Sequence, residues 1–74
     1  MTLEVRLFAY LRENRGKTVH LEVSDDTTVQ DVVNLLEIPP EHLSLLLISG
    51  RDAPLTATFK EGDYLSIFPP VGGG

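Results

Sequence analysis

Thr27-Thr28-Val29-Gln30-Asp31-Val32-Val33-Asn34-Leu35-Leu36-Glu37 is the segment on which the fold turns. Val29, Val32, Val33 and Leu36 fall at i, i+3, i+4 and i+7, which lines one apolar stripe along a helix. Thr27 and Gln30 stand at capping-box spacing, with Thr27 read as N-cap and Gln30 reaching back to its amide. Asp25, Asp26 and Asp31 put negative charge at the positive end of the helix dipole. Pro39-Pro40 ends the helix at about Glu37, because a residue before proline is disfavoured in helical geometry. This is the one stretch with helical periodicity.

On both sides of it the period changes to two. Leu3, Val5, Leu7 and Ala9 alternate with Glu4, Arg6 and Phe8, and Val19, Leu21 and Val23 alternate with His20 and Glu22. These are two half-buried strands, Leu3 to Ala9 and Thr18 to Val23, joined by a loop at Asn14-Arg15-Gly16. Downstream, Leu43 to Ser49 reads as a strand that is apolar on both faces, and Ser49-Gly50-Arg51-Asp52 as its turn. Ala53 to Leu55 is a short edge strand, where Pro54 is tolerable. After the Phe59-Lys60-Glu61-Gly62-Asp63 turn, Tyr64 to Phe68 is the last strand, with Leu65 and Ile67 inward. A hairpin, one helix and further strands make an α+β roll, a mixed sheet of four to five strands with the helix on one face. Its first and last strands lie side by side. The body is residues 1–68 and the tail is residues 69–74.

The chain has 74 residues with six basic against eleven acidic, a net charge of −5. That size is one domain without room for a deep enclosed site. The acidic balance argues against a nucleic-acid partner and favours basic docking surfaces. There is no cysteine, which excludes disulfides, thiolate metal sites and a cysteine nucleophile. His20 and His42 read as surface residues with no second ligand at useful spacing, so no metal is expected. Asp25, Asp26 and Asp31 suit the helix terminus better than a cation site. Ser24, Ser44 and Ser49 lack a nucleophile-elbow context, and Lys17 and Lys60 read as solvated. No glycine-rich loop joins strand to helix, so ATP is expected on a partner and no cofactor on this chain. Leu45 to Ile48, the longest apolar stretch, is too short to cross a bilayer. Met-Thr-Leu-Glu is no signal peptide, which makes the cytoplasm the expected compartment.

The chain ends Phe68-Pro69-Pro70-Val71-Gly72-Gly73-Gly74. Two prolines after a strand stop further pairing and hold the exit extended. The glycines after them carry almost no steric restriction. From Phe68 such a tail reaches roughly 20 Å, at about 3.3 Å per residue. A terminal glycine carbonyl is open to close approach; activated as an acyl-adenylate, it accepts sulfur to give a thiocarboxylate or an amine to give an isopeptide. A glycine-rich end also fits an ordinary frayed terminus.

The strand-helix-strand order, the opening Val5-Arg6-Leu7-Phe8-Ala9-Tyr10-Leu11-Arg12-Glu13, the Phe59 to Asp63 turn and the ending Ile67 to Gly74 together resemble the ubiquitin-like sulfur carriers. The resemblance spans essentially the whole chain and is nearest to the small subunit of molybdopterin synthase. It implies a β-grasp fold and a non-catalytic, sulfur-donating subunit. Gly74 would be adenylated by an E1-like adenylyltransferase, thiocarboxylated with sulfur from a sulfurtransferase, and inserted into the large synthase subunit. There it would donate sulfur to a pyranopterin precursor in molybdenum cofactor biosynthesis. Gly73 is the other half of the family's glycine pair, whereas Gly72 departs from the pattern, where a larger residue is usual. Pro69, Pro70, Val71, Gly72 and Gly73 would be held in the partners' channels. The carrier of the thiamine thiazole pathway comes second, because it usually lacks Phe-Pro-Pro. A protein modifier conjugated through Gly74 is the rival of another class, and a plain β-grasp binding module is the third reading.

The alternation itself points to an interface. If Leu3, Val5, Leu7, Leu65 and Ile67 face the helix, Phe8 and Phe68 face away from it. Adjacent first and last strands bring the two rings together, beside Leu45 and Leu47 or Leu46 and Ile48. Such a patch marks a partner site, unless loops cover it.

Overall fold

A computed structural model describes residues 1–71. Five strands, β1 (Thr2–Leu7), β2 (Thr18–Glu22), β3 (Leu45–Ile48), β4 (Arg51–Asp52) and β5 (Tyr64–Phe68), form one sheet with α1 (Val29–Leu35) on one face. The spatial order is β2-β1-β5-β3-β4. β1 pairs antiparallel with β2 and parallel with β5, so the first and last strands are central neighbours as the alternation predicts. Leu3, Val5 and Leu7 of β1 and Leu65 and Ile67 of β5 are buried against Val29, Val32 and Val33 of α1, with Leu11, Ile38 and Phe59 closing the core. The apolar stripe read from the helix is therefore the stripe that packs.

Tertiary contacts move several boundaries. The N-cap is Thr28, not Thr27, and its capping-box partner is Asp31, not Gln30. The Thr28 hydroxyl accepts from the Asp31 amide at 3.1 Å, and the Asp31 carboxylate accepts from the Thr28 amide at 3.0 Å. The one-residue shift has a cause in the fold. Thr28 bridges Thr58, and the Val29 and Gln30 amides donate to the carbonyls of Ala57 and Leu55. The displaced groups find other roles: the Thr27 hydroxyl accepts from the Ser24 amide, and Gln30 bonds Asn34 one turn on.

The helix also ends earlier than its prolines require. Glu37 takes φ +57°, Ile38 donates back to the Val33 carbonyl and Glu37 to that of Asn34. This pair of bonds is the Schellman closure, completed by the buried Ile38. Arg15 strengthens it by donating through Nε to the Leu36 carbonyl at 3.3 Å. A left-handed residue carrying a Cβ is strained, so Glu37→Gly is expected to stabilise the domain by about 0.5–1 kcal/mol, read as a higher urea midpoint at unchanged slope.

The first strand stops at Leu7 rather than Ala9. Ala9 has φ +54° and begins a 3-10 turn, Ala9–Arg12, that buries Leu11; Ala9 itself is exposed instead of inward. Another 3-10 turn, Pro40–His42, delays the start of β3 to Leu45. The edge strand falls at Arg51–Asp52, not Ala53 to Leu55. Ser49 and Gly50, at φ +49° and +85°, make a two-residue turn with both central residues left-handed, so pairing with β3 resumes immediately. The Ser49 hydroxyl donates to Asp63 at 2.9 Å, tying this hairpin to the turn before β5.

At the opposite edge, Glu22 accepts from the Thr2 hydroxyl at 2.7 Å and lies 3.5 Å from the N-terminal ammonium. The hydroxyl bond first, and the ammonium second, hold its carboxyl below the usual carboxylate value. Because the folded value is depressed, the small stabilisation is present above the unfolded Glu22 pKa and disappears as pH falls through the folded one. Thr2→Val should therefore raise the Glu22 midpoint in an NMR titration.

Candidate functional site

The parallel register of β1 and β5 pairs Leu7 with Ile67 and so sets Phe8 beside Phe68 as the chains leave the sheet. The rings stack with centroids 4.1 Å apart and planes within 9°. They lie on the face away from α1, as the alternation predicts, but each is half-buried because it covers the other. A stacked pair of this kind contributes about 0.5–1.5 kcal/mol beyond the area it buries. β3 supplies the neighbours: Leu45 pairs with Phe68 and Leu47 with Ser66 on this face, while Leu46 and Ile48 pack toward the core.

Polar groups that the sequence reading left out complete the face. The Arg6 guanidinium sits 3.8 Å above the centre of the Tyr64 ring and bonds the Glu4 carboxylate. That carboxylate bond is the largest reason the Arg6 pKa is raised. Arg12 donates to the Leu7 carbonyl at 2.8 Å, which holds its guanidinium 5.4 Å from the Phe8 ring. Ser66, between Arg6 and Leu47 in the register, is buried. The surface is thus an aromatic strip capped by cations at both ends rather than a plain apolar patch. Alternation does place Arg6 and Tyr64 outward, but only the parallel register shows that one lies diagonally over the other.

The tail begins here. The Ser44 amide donates to the Phe68 carbonyl at 2.9 Å, the last ladder bond before the prolines. Pro69 is half-buried, Pro70 exposed, and Val71 stands 93% exposed. Gly74, the expected site of the terminal chemistry, and Gly72 and Gly73, expected in the partners' channels, lie outside the described residues. His20 is exposed on β2, and His42 packs edge-on to Tyr10 at 5.4 Å. Stacking rings, aliphatic neighbours and guanidinium donors are chemistry for holding a protein surface.

Comparisons with known proteins agree with this geometry. The model of the ThiS family matches residues 5–74. The chain is 36% identical to small archaeal modifier protein 3 of Haloferax volcanii, with both chains fully covered. It is 34% identical to small archaeal modifier protein 1 of the same organism, over 97% of this chain and all of that one. A crystal structure of the latter protein superposes with a TM-score of 0.80 at 32% identity over the full length of both. A putative molybdopterin converting factor subunit 1 from Pyrococcus furiosus shares the fold, with a TM-score of 0.79 at 20% identity over 96% and 99% of the two chains. With the β-grasp sheet, the tail leaving β5 and the family match through residue 74, this chain belongs to the ThiS family of ubiquitin-like proteins.

Proposed function

We propose that this chain is a sulfur carrier working through the carboxylate of Gly74, in the role of the small subunit of molybdopterin synthase. The observation that carries the proposal is the Phe8–Phe68 stack at the root of the segment in which Pro70 and Val71 are exposed. It fixes the point from which Pro69-Pro70-Val71 departs and offers a partner a surface beside that point. The ending Phe-Pro-Pro-Val-Gly-Gly-Gly supports the molybdopterin branch over the thiazole branch. The likeness to a molybdopterin converting factor subunit supports the same fold for that role.

In this reading an E1-like adenylyltransferase binds ATP. A Gly74 carboxylate oxygen attacks the α-phosphorus, and pyrophosphate leaves. A persulfide on a sulfurtransferase attacks the resulting carbonyl, and AMP leaves. A thiol reductant then cleaves the S–S bond, so the thiocarboxylate stays on Gly74. The large synthase subunit takes the loaded tail and passes the sulfur to a pyranopterin precursor. The fold neighbour from Helicobacter pylori is a complex of subunits 1 and 2 of a molybdopterin-converting factor, which is in keeping with such a pairing. The chain supplies no catalytic side chain and holds no cofactor; the work takes place in the cytoplasm, where ATP is supplied.

A second reading rests on a specific observation: both Haloferax relatives carry the name of modifier proteins across their whole length. In that reading a lysine amine of a target protein attacks the acyl-adenylate of this chain, an isopeptide bond forms and AMP leaves. Incubating the chain with an adenylyltransferase, ATP and a sulfurtransferase, then weighing it intact, separates the two. Exchange of one oxygen for sulfur supports the carrier; adducts on lysines of other proteins support the modifier; an unchanged mass rejects both.

A further inference from the structure

β2 is an edge strand, and its hydrogen-bond register decides which backbone groups are free. Met1 and Val23 exchange both of their backbone bonds, and the Leu7 amide donates to the Lys17 carbonyl. In an antiparallel pair such bonded positions recur every second residue. Lys17, Val19, Leu21 and Val23 therefore point their amides and carbonyls at β1. Thr18, His20 and Glu22 point theirs the other way, and none has a backbone partner among the described residues.

Next to this edge, on the helix side, lies a groove of about 520 Å³ lined by Val19 of β2, Leu35 and Leu36 at the end and cap of α1, and the acidic residues Glu13 and Glu37. Leu35 is 65% exposed. Arg15, the cation of the lining, turns its guanidinium onto the carbonyls of Leu11, Leu36 and Glu37. A free strand edge with an aliphatic floor and an acidic rim is a template for strand addition.

We propose that β2 accepts a sixth strand from a partner protein: an extended segment of branched aliphatic residues flanked by lysine or arginine. Its backbone would bond Thr18, His20 and Glu22, and its alternate side chains would fill the groove over Val19 and Leu35. Basic flanks match Glu13 and Glu37 and the chain's net charge of −5. A second copy of this chain would instead bring like charge to like charge. The site lies two strands from β5 and does not depend on the reading of Gly74.

The test is an NMR titration of the full chain with the synthetic octapeptide KKVIVIKK, with EEVIVIEE as the control. The expected result is amide shifts at Thr18, His20, Glu22 and Leu35 to Glu37. Hydrogen exchange should slow at the amides of 18, 20 and 22, while those of 19 and 21 keep the protection they already have. The acidic peptide should bind at least about tenfold more weakly, and salt should narrow the gap. His20→Pro removes the central free donor and leaves the β1 ladder intact, since proline is tolerated on an outer edge; it should cut binding at least about tenfold. Leu35→Lys, at an exposed position, should do the same and stands if the proline variant does not fold. Shifts confined to the Phe8–Phe68 face, equal binding of both peptides, or no shift at millimolar peptide would each overturn the proposal. So would line broadening at β2 that grows with protein concentration in the absence of peptide, which assigns the edge to a second copy.

Discussion

Deleting Gly74, or adding one alanine after it, is expected to abolish sulfur loading while the body stays folded. The reason is a separation of labour along the chain. Every buried apolar side chain among the described residues lies at or before Ile67, and the sheet ends at Phe68. A change six residues beyond the last strand leaves in place every core side chain and ladder bond among the described residues. The thermal midpoint should therefore move by less than about 2 °C, since even 1 kcal/mol shifts a domain of this size by about 4–8 °C. Chemistry is affected differently. In the proposed role, deletion would place the carboxylate one residue short of the partner's catalytic groups, and an added alanine would set a Cβ beside the carbonyl to be attacked. Sulfur incorporation measured by intact mass should fall to the level without ATP. A variant that still loads would place the reactive group elsewhere.

The second large effect is on stability, and it separates the two faces of β5. Ile67→Ala empties a fully buried position between β1 and α1. Such truncations cost about 2–5 kcal/mol. Against a total of roughly 0.05–0.15 kcal/mol per residue, this is a large share of what a domain of 74 residues has. The variant should lose much of its urea midpoint and populate the unfolded state near physiological temperature. Phe68→Ala, one residue on, removes the stack with Phe8 from the opposite face. It should cost the stack's roughly 1 kcal/mol plus the burial of an already partly exposed ring, less than the core truncation, and leave the fold intact. Its main loss should be in binding to the adenylyltransferase and to the large synthase subunit, measured by calorimetry or by the concentration dependence of loading. Equal destabilisation by the two variants would mean that Phe68 serves the core and not a partner.

These expectations rest on features that differ in how readily a sequence shows them. Period-two alternation in Leu3 to Leu7 and Tyr64 to Phe68, with one period-3.6 stripe at Val29, Val32 and Val33, suffices for the roll and for placing Phe8 and Phe68 on one face. Both follow from which way each side chain must point. Boundaries were another matter. Thr27 and Thr28 are chemically equivalent N-caps, and the choice is made by Thr58, thirty residues away and reached only through the bridge. Ser49-Gly50 and the residues after it fit either a four-residue or a two-residue turn. The positive φ at a serine, supported by Asp63, settles which. Ala9 and Glu37 take left-handed conformations that no local propensity favours, and each shortens an element read from its pattern. The Arg6–Tyr64 contact needed the register of a parallel pair, which alternation leaves open. The free edge at Thr18, His20 and Glu22 is likewise a matter of register and not of composition.

The proposal places the reactive group at the carbonyl of Gly74, and fragmentation of the loaded chain in the mass spectrometer tests that most directly. After incubation with an adenylyltransferase, ATP and a sulfurtransferase, sulfur should replace one oxygen in every fragment that contains Gly74 and in none that lacks it. Sulfur on a fragment ending before Gly74, or a chain whose mass stays unchanged with active partners, would contradict the assignment.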